Sequence, residues 1–122
     1  MRQNLAEKIL QAHTADQVSG PGQIVQCRVD GVLANDITAP LAIASLQRMG
    51  ADRVFDPQRI FLVCDHFTPN KDQDSAEQVK TVREFARRMQ ISHYYEGGTS
   101  GVEHALLPEE GLAGEGHSFI HR

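Results

Sequence analysis

Apolar positions along this chain fall into one uninterrupted run and several periodic stretches, and each predicts a different element. The run is Ile60-Phe61-Leu62-Val63-Cys64. It predicts a strand over 59–64 that is apolar on both faces, as in a sheet covered by helices on both sides. After Asp74-Ser75-Ala76-Glu77, which has the form of a capping box, Val79, Val82, Phe85, Ala86 and Met89 recur at spacings of three and four and predict a helix of about four turns. Asn4-Leu5-Ala6-Glu7 has the same capping form, and Leu5, Ile9 and Ala12 predict a short amphipathic helix over 5–13. Over 23–30, Val25, Cys27 and Val29 alternate with Gln26 and Arg28, the period of a strand with one buried face.

The stretches between these elements carry turn chemistry. Gly20-Pro21-Gly22 ends the first helical unit, and 31–36 reads as a turn-rich approach to a second helix. That helix has Thr38 as N-cap, Pro40 in its first turn, an apolar face of Leu41, Ile43, Ala44, Leu46 and Met49, and Gly50 as its stop. A further strand is predicted over 91–96. The glycine-rich loop 97–101 follows, then an apolar stretch over 102–107 and a turn at Pro108-Glu109-Glu110-Gly111. Residues 117–122 show no periodic pattern. Strands alternating with helices predict an α/β layered domain.

Composition narrows the function classes. The chain has 122 residues, 40% hydrophobic and 23% charged, with a formal net charge of −4. A mildly acidic chain gives no electrostatic reason to bind nucleic acid. No apolar run approaches the roughly 20 residues that span a bilayer, and Met1-Arg2-Gln3-Asn4 opens no secretory segment. The two cysteines, Cys27 and Cys64, sit in apolar runs and read as reduced thiols of a cytoplasmic protein. Neither has metal-ligand spacing, so no metal ligands are assigned.

Candidate chemistry begins where the apolar run stops, at Asp65-His66. In an open α/β sheet, ligands bind beyond the carboxyl ends of the strands. An Asp beside a His orients the ring and favours its protonated form, so the pair can act as an acid; Asp also commonly starts a turn, and both readings stand on this feature alone. Glu103-His104 follows a flexible loop and is the second candidate. Asn35-Asp36-Ile37-Thr38 offers an amide, a hydroxyl and a helix N-terminus, the parts that recognise a carboxylate, although Asp36 opposes an anion and an ordinary helix cap has the same parts. His13, His93, His117 and His121 have no evident partners and read as surface histidines. The glycine-rich loop fits neither a dinucleotide fingerprint nor a P-loop.

Several stretches resemble, in order, the N-terminal part of the large subunit of the isopropylmalate dehydratase and homoaconitase family, within the aconitase superfamily. They are Asn4 through Leu10, Val29 through Ala42, Phe55-Asp56-Pro57, Cys64-Asp65-His66-Phe67-Thr68-Pro69, Val82 through Ala86, and Gly101 through Glu109. The resemblance covers residues 4–114 and implies a three-layer α/β/α aconitase-like domain, incomplete here. It implies a hydro-lyase that reversibly dehydrates a 2-hydroxy di- or tricarboxylate in amino-acid biosynthesis, using a [4Fe–4S] cluster and a small-subunit partner. By resemblance Asp65 and His66 match the pair that protonates the leaving hydroxyl, and His104 matches another active-site histidine. Asn35 stands where a substrate-contacting amide is found, with Asp36 and Thr38 beside it as substrate-binding candidates. Beyond Gly111 the family continues into an Asp-Ser-His-Thr segment and cluster cysteines, whereas this chain runs Gly114-Glu115-Gly116-His117 and ends at Arg122. Residues 115–122 are therefore set apart as an unmatched tail. The expectation is a truncated or frameshifted large subunit, with no cluster of its own and no activity alone. The alternatives are a carboxylate-binding or regulatory module and a non-functional remnant.

Overall fold

A computed structural model describes residues 3–121. Among these described residues the sheet has four strands, all parallel: β1 (Gly31–Asn35), β2 (Ile60–Val63), β3 (His93–Tyr95) and β4 (Phe119–His121), in the order β3-β2-β1-β4. The helices are α1 (Leu5–His13), α2 (Ala39–Arg48), α3 (Gln73–Arg88) and α4 (Glu103–Glu109). Asn35 pairs with Val63, and Val63 with Tyr95, so the carboxyl ends of the three strands lie level.

The apolar run behaves as its pattern requires. All four residues of β2 are buried, and successive side chains serve opposite faces of the sheet. Ile60, Leu62 and Cys64 join Ala34 in packing against Ile43 of α2 and Val79, Val82, Phe85 and Ala86 of α3. Phe61 and Val63 join Leu33 in packing against Leu106 and Leu107 of α4. Helices thus cover both faces, giving the layered α/β arrangement expected from the resemblance.

Local signals place the helix ends. Asn4 and Glu7 form the reciprocal capping box of α1, at 2.9 Å in each direction. The box that opens α3 is made by Asp72 and Ser75 rather than by Asp74 and Glu77. Asp72 accepts from the Ser75 N–H at 2.8 Å and starts the helix two residues earlier than an Asp74 cap would, so that Asp74 lies inside the first turn. Gly50, at φ +70°, closes α2 in the left-handed conformation that glycine adopts freely.

Two strand assignments differ from the sequence reading. Residues 23–29 form no strand: Val25, Cys27 and Val29 are half-buried as their period predicts, yet no ladder forms and Ile24 is fully exposed. The strand begins instead at Gly31, in the segment read as a turn. An interior strand buried on both faces shows no alternation, so Val32-Leu33-Ala34 carries no period to detect. Glycine leads it because the rings of Phe119 and Phe61 occupy the space a Cβ would take. The second difference is β4, in a stretch without a pattern; with three residues it is too short to show one.

Asp30 ties the two ends of the chain to the sheet. Its backbone N–H donates to the Ser118 carbonyl at 2.6 Å, and its Oδ2 accepts from the Ser118 N–H at 2.7 Å. The same Oδ2 lies 2.8 Å from His13 Nε2 at the end of α1, and His13 Nδ1 lies 2.7 Å from the Ile9 carbonyl. His13 is therefore not a free surface histidine. Both its nitrogens face acceptors, and the Ile9 carbonyl followed by Asp30 raises its pKa above the ordinary 6.5. The Ser118 amide and then His13 lower that of Asp30.

Candidate functional site

The carboxyl ends of β1 and β2 bring together every residue singled out by the sequence, though not in the roles their types suggest. Asn35, the last residue of β1, is buried. Its Oδ1 accepts from the backbone N–H groups of Ile37 and Thr38, both at 3.0 Å, and from the Thr38 hydroxyl at 3.2 Å. Its Nδ2 donates to Glu103 Oε1 at 3.1 Å. The Asn35 amide therefore closes the turn into α2 and anchors α4.

Asp36 has no exposed surface. Its carboxylate reaches across to the loop after β2, where Oδ1 accepts from the His66 N–H at 3.1 Å and Oδ2 from the Phe67 N–H at 2.8 Å. A buried carboxylate is tolerated where it receives such donors. Asp36 fixes the loop that carries His66.

Asp65 holds the ring itself. Its Oδ1 lies 2.6 Å from His66 Nδ1, while its Oδ2 accepts from the Glu103 N–H at 2.8 Å, in the first turn of α4. An ionised carboxylate only accepts, so Nδ1 carries the proton of this bond and Nε2 is left for solvent or a ligand. The hydrogen bond that His66 donates to Asp65 raises the pKa of His66; partial burial opposes it, and the negative charges of Asp65, Glu103 and Asp36 add to it. The His66 side chain is 42% exposed and Asp65 only 7%. This is the arrangement of an oriented imidazole acid with one accessible nitrogen.

The α4 side joins Glu103 to His121, which the sequence reading left as a surface histidine. Glu103 is buried, and its Oε1 receives His121 Nε2 from β4 at 3.1 Å as well as the Asn35 amide. His104 is exposed, with Nε2 3.7 Å from the same oxygen, and its ring meets that of His121 edge-on at 4.9 Å between centroids. No sequence signal could place His121 here, because only the pairing of β4 with β1, Leu33 opposite His121, brings it to the site. The other histidines read as unpartnered also have neighbours: the His93 ring stacks on Phe61 at 4.6 Å, and His117 Nδ1 accepts from the Gly114 N–H at 3.1 Å.

The profile of the aconitase family (aconitate hydratase) matches residues 7–120. The chain belongs to the aconitase family. Curated relatives carry the name 3-isopropylmalate dehydratase large subunit. That of Nitratidesulfovibrio vulgaris strain DP4 is 65% identical over 98% of this chain and 29% of its own length. That of Oleidesulfovibrio alaskensis is 66% identical over the same shares, and that of Moorella thermoacetica 53% identical over 98% of this chain and 28% of its own. The chain thus spans under a third of the length of these relatives. Among the described residues no helix is long and apolar enough to cross a membrane.

Aconitase-family membership implies a [4Fe–4S] cluster in the full-length enzymes. The donors of this chain do not fit one. Such a cluster takes about four thiolates, one fewer where an iron is left open, and the chain has two cysteines. Cys64 is buried in the core with its Sγ 3.7 Å from the Tyr94 hydroxyl, and burial pushes its pKa up to about 11. Tyr94 in turn donates to Glu96 at 2.9 Å, which Arg83 grips with two bonds of 2.6 and 2.7 Å. The thiol belongs to a structural chain of bonds within the core cluster packed against α3.

Proposed function

We propose that this chain supplies the acid pair of a hydro-lyase site of the isopropylmalate and homoaconitate dehydratase type. The substrate is a 2-hydroxy di- or tricarboxylate, and the reaction is its reversible dehydration in amino-acid biosynthesis. The observation that carries the reading is Asp65 holding His66 by Nδ1 with Nε2 free at the carboxyl end of β2.

Hydroxide is a poor leaving group and departs as water once it receives a proton. His66, kept protonated by Asp65, delivers that proton from Nε2 as the C–O bond breaks, and in the reverse direction accepts it from water. In this reading His104, exposed on α4 next to Glu103, meets the substrate; its exposure supports that role. Asn35, Asp36 and Thr38 act as positioning residues in this reading, since their polar atoms are engaged in the loops that hold His66 and Glu103. The remaining parts of such a site, the cluster and the small-subunit partner implied by the name large subunit, lie outside these residues, and this chain alone is inactive. A carboxylate-binding module is less well supported. Three carboxylates (Asp36, Asp65 and Glu103) gather here, and the groups bonded to them are amides and imidazoles.

The test is a chimera in which residues 3–121 replace the matching segment of the Nitratidesulfovibrio vulgaris relative. It should dehydrate isopropylmalate, and His66→Gln within it should lower kcat by about 10²–10⁴-fold, the usual worth of a general acid, with little change in KM. Retention of kcat within a few-fold by the His66→Gln chimera would remove the pair from the chemistry.

A further inference from the structure

Glu103 is 2% exposed, and its Oε2 has no hydrogen-bond partner among the described residues. Leaving a buried carboxylate oxygen unpaired is costly, and natural structures rarely do so without an ion or a bound water. At the other oxygen of the same carboxylate, Oε1, stand two imidazoles with exposed side chains. His104 Nε2 lies 3.7 Å and His121 Nε2 3.1 Å from Glu103 Oε1, and the three donor groups fall within 4.8 Å of one another. In a tetrahedral site with metal–ligand bonds of about 2.1 Å, neighbouring donors lie about 3.4 Å apart. The observed pair of distances brackets that value.

We propose that Glu103, His104 and His121 form a site for a divalent transition-metal ion of the zinc class, with a coordination position left for water. Two imidazole nitrogens and one carboxylate oxygen make a borderline donor set that selects against magnesium and calcium, which take oxygen ligands. The Asn35 amide, bonded to Glu103 Oε1, serves as the outer partner that fixes the carboxylate. On binding, the N–H of the neutral His121 ring passes through solvent from Nε2 to Nδ1, so that Nε2 gives up its hydrogen bond to Glu103 and offers its lone pair to the metal. The second acid-and-imidazole group, Asp36, Asp65 and His66, also has its donors within 4.8 Å. There, however, all four carboxylate oxygens already accept from backbone amides or from His66 Nδ1. The unpartnered oxygen is on Glu103. The site shares His104 with the dehydratase reading, but its test does not depend on that reading, because it also uses His121 and needs no substrate.

The test is titration of the whole untagged, chelator-treated chain with Co²⁺, followed by competition with Zn²⁺. One equivalent of Co²⁺ should give the visible ligand-field bands of a tetrahedral site, and Zn²⁺ should abolish them. His104→Ala and His121→Ala, both at exposed side chains and checked for folding by circular dichroism, should each weaken binding by at least about 10-fold. His117→Ala and His66→Ala should bind as the parent does. Absence of saturable binding, or binding that survives both His104→Ala and His121→Ala, would overturn the proposal. So would a loss of binding in His66→Ala, which would move the ion to the other group.

Discussion

Asp36→Asn is the substitution that tests most directly how the candidate site is held. The carboxylate is fully buried and receives two backbone donors, from His66 at 3.1 Å and Phe67 at 2.8 Å. Asparagine keeps the volume, but only its oxygen accepts, so its NH₂ must face the second N–H. One hydrogen bond to a charged group is lost, at about 1.5–3 kcal/mol, and the other becomes a neutral bond about half as strong. Relief from burying a charge offsets part of this. The balance is a loss of about 2 kcal/mol, and the melting temperature of a domain of this length should fall by roughly 6–12 °C. Urea unfolding followed by circular dichroism should show a lower midpoint at unchanged m-value, and the amides of His66 and Phe67 should exchange faster. A midpoint within about 0.5 kcal/mol of the parent, with the Phe67 amide still protected, would refute the claim that Asp36 holds this loop.

Two further outcomes follow from the titrating groups. Asp65→Asn removes the largest cause of the raised pKa of His66, so the His66 ring protons should titrate at lower pH in NMR spectra; an unchanged midpoint would mean that Asp65 does not hold the ring. For the His13–Asp30 pair, the raised pKa of His13 makes a contribution that is complete below about 6.5 and lost as pH rises through the folded value. The lowered pKa of Asp30 makes one that is present above about 3.8 and lost as pH falls through the folded value. The pair therefore stabilises most between roughly pH 4 and 6.5. His13→Gln should flatten the loss of stability above that window in thermal unfolding, and parallel parent and variant profiles would count against the pairing.

What the sequence disclosed follows from how much of each element's signal is local. β2, α1 and α3 were legible because burial imposes a period or an unbroken apolar run. Asp65–His66 was legible because sequence neighbours at a strand end must meet. β1 was hidden because an interior strand has no polar face, and its glycine, demanded by the rings of Phe119 and Phe61, looks like a turn signal. Asn35 and Asp36 have the residue types of a ligand site, yet their partners lie on loops far along the chain, and only the packed structure shows those bonds as internal. His121 depends entirely on a parallel pairing across most of the chain length.

The Asp30 junction has a consequence for cooperativity. One carboxylate oxygen accepts from the Ser118 amide, which leads into β4, and faces His13, which ends α1. Ordering either segment sets the carboxylate in place for the other, so the first helix and the last strand are thermodynamically linked although they share no ladder. A ligand that holds His121 on β4 should then slow amide exchange in α1, and by the reciprocity of linkage whatever steadies α1 should tighten that ligand to the same degree.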